Sequence, residues 1–302
     1  AERGTAYQYR HPDITPDLKE RIKRGEFVLP LYSDLSAMPQ RERDVIWGMM
    51  VGNEGRTHVP ILKTYTEALK RGWTDVKTNQ WHWMSPAFAY NHVRWAGGGS
   101  MPLDILFFTH QKGAMPWPDM PYDPGNDSSW PQDVAKWARA LMHRTHSYYW
   151  FHVSSREDIE TVKTIIYTEH VPVTTGIAVY SDFTSKCADD GFYEYPGSSA
   201  TMLGGHALCI VGWDDERDAG DGDGYRGGFL IVNSWGTGWP GYSGSDPPPG
   251  LAYISYDFFL SDKTWHDIWV AVDDRIYQPR YVARVEIQHS SHYDLEVHLD
   301  ME

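Results

Sequence analysis

The chain has 302 residues, 41% of them hydrophobic, and a formal net charge of −14. That is enough apolar material for one large domain or two. The acidic balance excludes a binder of nucleic-acid backbones, because the only short basic cluster, KERIKR at Lys19 to Arg24, reads as a solvated helix face. No apolar run approaches the ~20 residues of a membrane span. Fourteen Trp and nineteen Tyr point to an aromatic core, a ring-bearing binding surface, or both. Two cysteines, Cys187 and Cys209, are too few for a disulfide scaffold or a four-thiolate zinc site. One disulfide stays open, although Cys209 sits in an apolar strand and reads as a buried small hydrophobe. The chain begins at Ala1 without a Met or a signal peptide, as either a processed secreted protein or a trimmed product would, and a secreted, extracellular setting is the expectation.

In chain order, residues 1–28 are polar and read as an N-terminal arm, with a short helix at Asp17 to Arg24 ended by Gly25. Thr57 is a natural N-cap for a helix that places Ile61, Leu62, Tyr65, Ala68 and Leu69 on one face and stops at Gly72. Ser85-Pro86 opens a second helix running to about Ala96. Ser100 to Lys112 is a third, closed by Gly113. Met115 to Pro131 is a Pro/Asp/Trp-rich loop packed by its rings, and Asp133 to His143 a short helix. Ser155 to Asp158 has the form of a capping box before Ile159, Val162, Ile165 and Ile166. Strands are predicted at Val173 to Tyr180, Ala207 to Trp213 and Gly228 to Val232. Beyond them, Tyr281, Ala283, Val285 and Ile287 alternate with polar residues, as do Tyr293, Leu295, Val297 and Leu299. This predicts a C-terminal β-hairpin over 274–302 whose apolar face must dock on this domain or on a neighbouring subunit.

The residues with chemical promise flank two of these strands. His206 enters the first of the pair and Asn233 leaves the second, so antiparallel pairing would set an amide beside an imidazole and fix its tautomer. GGHALCIVGWDD followed by NSWGTGW resembles the C-terminal half of a papain-like cysteine peptidase. Leu29 to Leu35, Gly52-Asn53-Glu54-Gly55 and Met84-Ser85-Pro86-Ala87-Phe88-Ala89-Tyr90-Asn91 extend the likeness, which implies the family's closing strands at Leu251 to Phe258 and Asp267 to Val272 and covers residues 29–273. The resemblance implies an α+β, two-lobed papain-like fold, with a helical left lobe, an antiparallel β right lobe and a cleft between them, here carrying the added C-terminal hairpin.

The resemblance also implies a lost chemistry. The bacterial form of the motif reads roughly Gln-Gly-Asn-Glu-Gly-x-Cys, whereas this chain has Val51 at the position of the oxyanion-hole glutamine and Thr57 at that of the nucleophilic cysteine. A threonine hydroxyl is far harder to ionise than a thiol, and threonine nucleophiles rely on an N-terminal amine that Thr57 lacks. Cys187 and Cys209 belong to the other half of the chain. The first expectation is therefore a degenerate site of Val51, Thr57, His206 and Asn233, flanked by Trp235, in a catalytically inactive protein with a binding or structural role, self-associating through its terminal extension or binding a protein partner. Two other readings stand beside it: a hydrolase using Thr57 with His206 and Asn233, and a peptide- or glycan-binding module in an inert cleft. No cofactor is expected. His143, His146 and His152 lack an acidic partner at a metal-binding offset, and Asp218, Asp221 and Asp223 form a weak calcium candidate that fails the EF-hand pattern.

Overall fold

The computed structural model describes residues 58–276 apart from 77, 97, 124, 219–221, 223, 237 and 274–275, together with the strand Glu26–Val28 and Pro16, with backbone alone for 26–28 and 58–62. The predicted arm apart from Pro16 and its last three residues, the motif around Val51 and Thr57, Asp221, Asp223 and the C-terminal hairpin apart from Ile276 lie outside the described residues.

The architecture is α+β. Eight strands are described: β1 (Glu26–Val28), β2 (Ser147–His152), β3 (Val173–Tyr180), β4 (Phe192–Tyr193), β5 (Met202–Asp214), β6 (Gly228–Val232), β7 (Leu251–Ser255) and β8 (Asp267–Val272). They form one sheet in the order β2-β8-β3-β5-β6-β7-β4, antiparallel except for β4 on β7, with β1 paired to the end of β5. The apolar runs of β3, β6 and β7 are continuous rather than alternating because both faces of the sheet are covered, and every residue of β6 and β7 is buried. β5 is the central strand: β3 pairs along Met202 to Ile210, while β6 and β1 take its final residues.

Seven helices among the described residues pack around this sheet: α1 (His58–Arg71), α2 (Pro86–Val93), α3 (Pro102–Lys112), α4 (Val134–Leu141), α5 (Arg156–Glu169), α6 (Phe183–Asp190) and α7 (Tyr256–Phe259). Their starts follow the capping chemistry. Ser85, Asp133, Ser155 and Ser255 each accept a backbone N–H of the following helix's first turn. Gly113 closes α3 at φ 82°, and a Cβ there would lie 1.8 Å from the Ala140 carbonyl oxygen, so only glycine fits. No described helix is long and apolar enough to cross a membrane.

Several expectations change. The second helix stops at Val93 rather than Ala96, since Arg94 is already extended. The strand predicted to reach Phe258 ends at Ser255, whose hydroxyl caps α7 instead. β5 starts at Met202, five residues before the predicted Ala207. β2 and α6 were not predicted. On α1, Tyr65 and Ala68 pack into the core as predicted, whereas Leu69 is 51% exposed, and the helix also buries a polar stripe, Lys63, Thr66, Glu67 and Lys70, at i, i+3, i+4 and i+7.

That stripe is held by a network centred on Glu67. Its carboxylate accepts from Lys63 Nζ at 2.7 Å, Arg71 Nε at 2.5 Å, His143 Nδ1 at 2.7 Å, and Lys70. Lys63 and Lys70 also bind Asp273, just past β8, and the Thr66 hydroxyl donates to the same carboxylate at 2.8 Å. Burial alone would raise the Glu67 pKa, but the His143 hydrogen bond and the lysine charges reverse this and hold it far below the ordinary range. Burial lowers the His143 pKa, against the pull of Glu67.

A buried ion cluster that loses one member leaves the others unpaired. Glu67→Ala should therefore cost about 3–5 kcal/mol, read from the urea midpoint of unfolding. A cost below about 1 kcal/mol would show that the network does not hold α1 to β8. Both groups bind protons less readily folded than unfolded, so acid should destabilise. The loss begins as pH falls below the ordinary histidine value of 6.5 and deepens below the ordinary glutamate value of 4.5.

Candidate functional site

His206 lies within β5, opposite Ile177 of β3, and Asn233 is the first residue after β6. Antiparallel pairing of β5 with β6 brings the two side chains together, with His206 Nε2 2.8 Å from Asn233 Oδ1. Asn233 Oδ1 also accepts the Ser234 backbone N–H at 2.7 Å. A backbone N–H can only donate, so this contact fixes which end of the amide is oxygen. His206 Nε2 must then carry the proton, and Nδ1 is the basic nitrogen. Burial lowers the His206 pKa, and the Asn233 hydrogen bond opposes this, so a neutral imidazole is favoured near neutral pH.

Trp235 stacks on the imidazole, with centroids 4.7 Å apart and an interplanar angle of 26°. Behind it, Phe183 and Trp239 meet the indole edge-on at 6.0 and 5.9 Å. The backbone of Asn233 is pinned by its N–H to the Gly250 carbonyl, and Trp239 Nε1 donates to Thr184 on α6. One residue before His206, on the opposite face of β5, a Cβ at Gly205 would lie 2.5 Å from the Trp265 ring, so glycine is what lets this indole lie against the strand. Trp235 and Trp265 remain 37% and 45% exposed. Trp239 closes the NSWGTGW motif, whereas Phe183 escaped the sequence reading, since nothing local marks a ring that reaches the site from an unpredicted helix.

Neither thiol joins this group. Cys209 is three residues from His206 in a regular part of β5, so the two side chains point to opposite faces. Cys187 lies in α6, and both thiols are fully buried, with pKa values pushed up by burial. They are free cysteines, which closes the question of a disulfide between them. The three candidate histidines do not converge. His143 joins Glu67, His152 pairs with Asp267 at 3.1 Å, and no group of three metal-ligating side chains occurs among the described residues. Asp218 instead pairs with Arg226 at 3.1 Å.

The profile described as "Papain family cysteine protease" matches residues 92–244, half of the chain, and spans both His206 and Asn233. The chain belongs to this family. Among solved structures, xylellain, a cysteine protease from Xylella fastidiosa, superposes with a TM-score of 0.55 at 20% identity, covering 74% of this chain and 81% of that one. This likeness carries the fold. Cathepsin B-like cysteine proteinase 3 of Caenorhabditis elegans is 36% identical over 87 residues, 29% of this chain and 20% of the relative. The protein of the same name from Ostertagia ostertagi is 38% identical over 68 residues, 22% of this chain and 33% of the relative. The chain thus spans only a fifth to a third of these curated relatives.

The papain-family His–Asn geometry makes a spectroscopic prediction. Nitrogen NMR of His206 at neutral pH should show the neutral tautomer protonated at Nε2, titrating below 6.5. Asn233→Ala removes the acceptor that opposes desolvation, so the pKa should fall further and the tautomers should mix. An unchanged tautomer in the variant would mean that Asn233 does not orient the ring.

Proposed function

We propose that this papain-family protein is non-catalytic and uses its cleft to bind rather than to cleave. The observation that carries the reading is that His206 keeps its orienting partner while both thiols of the chain are buried away from it. The family motif puts Thr57 where the attacking sulfur would stand and Val51 where an oxyanion donor would stand. Loss of a triad nucleophile typically lowers the rate by about 10⁶, and loss of one oxyanion donor by roughly 10²–10³. Beside the imidazole the exposed surface is aromatic: Trp235 stacks on it and is 37% exposed. Extended peptides with apolar side chains are the ligand class this surface suits, since rings supply contact area at small entropic cost.

Two measurements separate this from a hydrolase working through Thr57, His206 and Asn233. Purified protein should show no turnover of a peptide library above background, and turnover abolished by His206→Ala would replace the proposal with the hydrolase reading. Thr57→Cys should create the chain's one readily alkylated thiol, because the native cysteines are shielded, and it should react with iodoacetamide faster than an ordinary surface cysteine. Ordinary reactivity at that position would mean that Thr57 does not face His206.

A further inference from the structure

β2 is the last strand of the described sheet on its side. Its sequence, Ser-Tyr-Tyr-Trp-Phe-His, has no proline and no lysine, the usual devices by which an exposed edge avoids pairing. The register on β8 runs from Ser147 opposite Val272 to His152 opposite Asp267, and just beyond it the Val153 N–H donates to the His266 carbonyl at 2.7 Å. Hydrogen-bonded pairs alternate along an antiparallel ladder, so Phe151 and Tyr149 also turn their backbone groups toward β8. Tyr148, Trp150 and His152 turn theirs outward. Among the described residues, none bonds these outward groups, and Trp150 at the centre of the edge is 45% exposed.

We propose that the chain's own terminal segment, 277–302, adds to this edge and lays one strand of its hairpin along β2. Two observations favour this occupant. The last residue of β8, Val272, lies opposite Ser147, one strand away from the open edge. The outer side of β2 is about 10 Å from β8, whereas residues 273–280 can span up to about 26 Å, so the segment reaches the edge without strain. The segment also has what the edge lacks: two alternating runs, Tyr281 to Ile287 and Tyr293 to Leu299, each with one apolar face that a lone ribbon cannot bury. A second copy could offer the same strand, but a tether this short gives the chain's own segment an effective concentration in the millimolar range. This inference is independent of what the cleft binds.

Residue-resolved hydrogen exchange on the full chain tests it. In the wild type, the Tyr148, Trp150 and His152 amides should exchange about a hundredfold more slowly than in a Val285→Asp/Val297→Asp variant. The inward Tyr149 and Phe151 amides should be unchanged by those substitutions, and the protein should be monomeric with protection insensitive to tenfold dilution. Trp150→Pro, which deletes an outward N–H and leaves the β8 ladder its donors, should likewise speed exchange at Tyr148 and His152. Fast exchange of the three outward amides in the wild type would overturn the proposal, whatever the variants do. Protection that comes with a dimer and disappears on dilution would also overturn it, assigning the edge to a second copy.

Discussion

The carboxylate of Glu67 is what permits α1 to lie where it does. A helix carrying Lys63, Thr66, Glu67 and Lys70 along one stripe would ordinarily turn that stripe to water. Here the stripe is buried, because Glu67 and Asp273 pair with the two lysines and Arg71, while His143 supplies one further donor. The cluster joins three separated parts of the chain: α1, the residue after β8, and the turn after α4. It therefore ties a helix to the sheet by charge where apolar packing would be less specific about register. The first residue of α1, His58, directly follows Thr57, so this anchorage also fixes the helix whose beginning the family uses for its chemistry.

The His206–Asn233 pair is stable for reasons that have nothing to do with a nucleophile. The register of β5 and β6 sets the backbone positions, the Ser234 N–H orients the amide, and Trp235 covers the imidazole face. None of these interactions needs a thiol across the cleft. A chain that exchanged its cysteine for threonine would feel no local pressure to dismantle the rest. Persistence of the histidine and asparagine is thus a property of the fold as much as of the reaction, and their geometry alone does not distinguish a peptidase from a binding protein.

The parts legible in the sequence were those with a local cause. Val173–Tyr180 and Gly228–Val232 have the bounds predicted from their apolar runs, Asp267–Val272 has those implied by the family resemblance, and Ser85, Asp133 and Ser155 mark helix starts because capping is a contact within one turn. The His206–Asn233 pairing was legible because two strands joined by a turn have few ways to pair. What was not legible depended on distant partners. Nothing near Lys63 and Glu67 in the sequence announces Asp273 or His143. β2 escaped because a run of four aromatic residues has no alternation to betray its period. α6, with the sequence FTSKCADD, has a weak apolar stripe, and its Phe183 is buried only because Tyr193, Trp235 and Trp239 close around it.

The high aromatic content serves interior and surface alike, and the indole N–H shows how the two are divided. Trp83 donates to the Val76 carbonyl, Trp137 to that of Pro131, and Trp239 to Thr184, so each of these rings staples a loop as it fills space. A ring committed in this way is part of the scaffold. Trp265 is positioned differently, by the absence of side chains at Gly205 and, more loosely, Gly176, which lets the indole lie close to the strands beside His206 while its outer face stays in water. Glycine in a strand interior weakens the sheet, so the close seat of this ring on β3 and β5 is obtained at a cost in sheet stability. The exposed indole surface at His206 is that of Trp235, whose edges are held by Phe183 and Trp239.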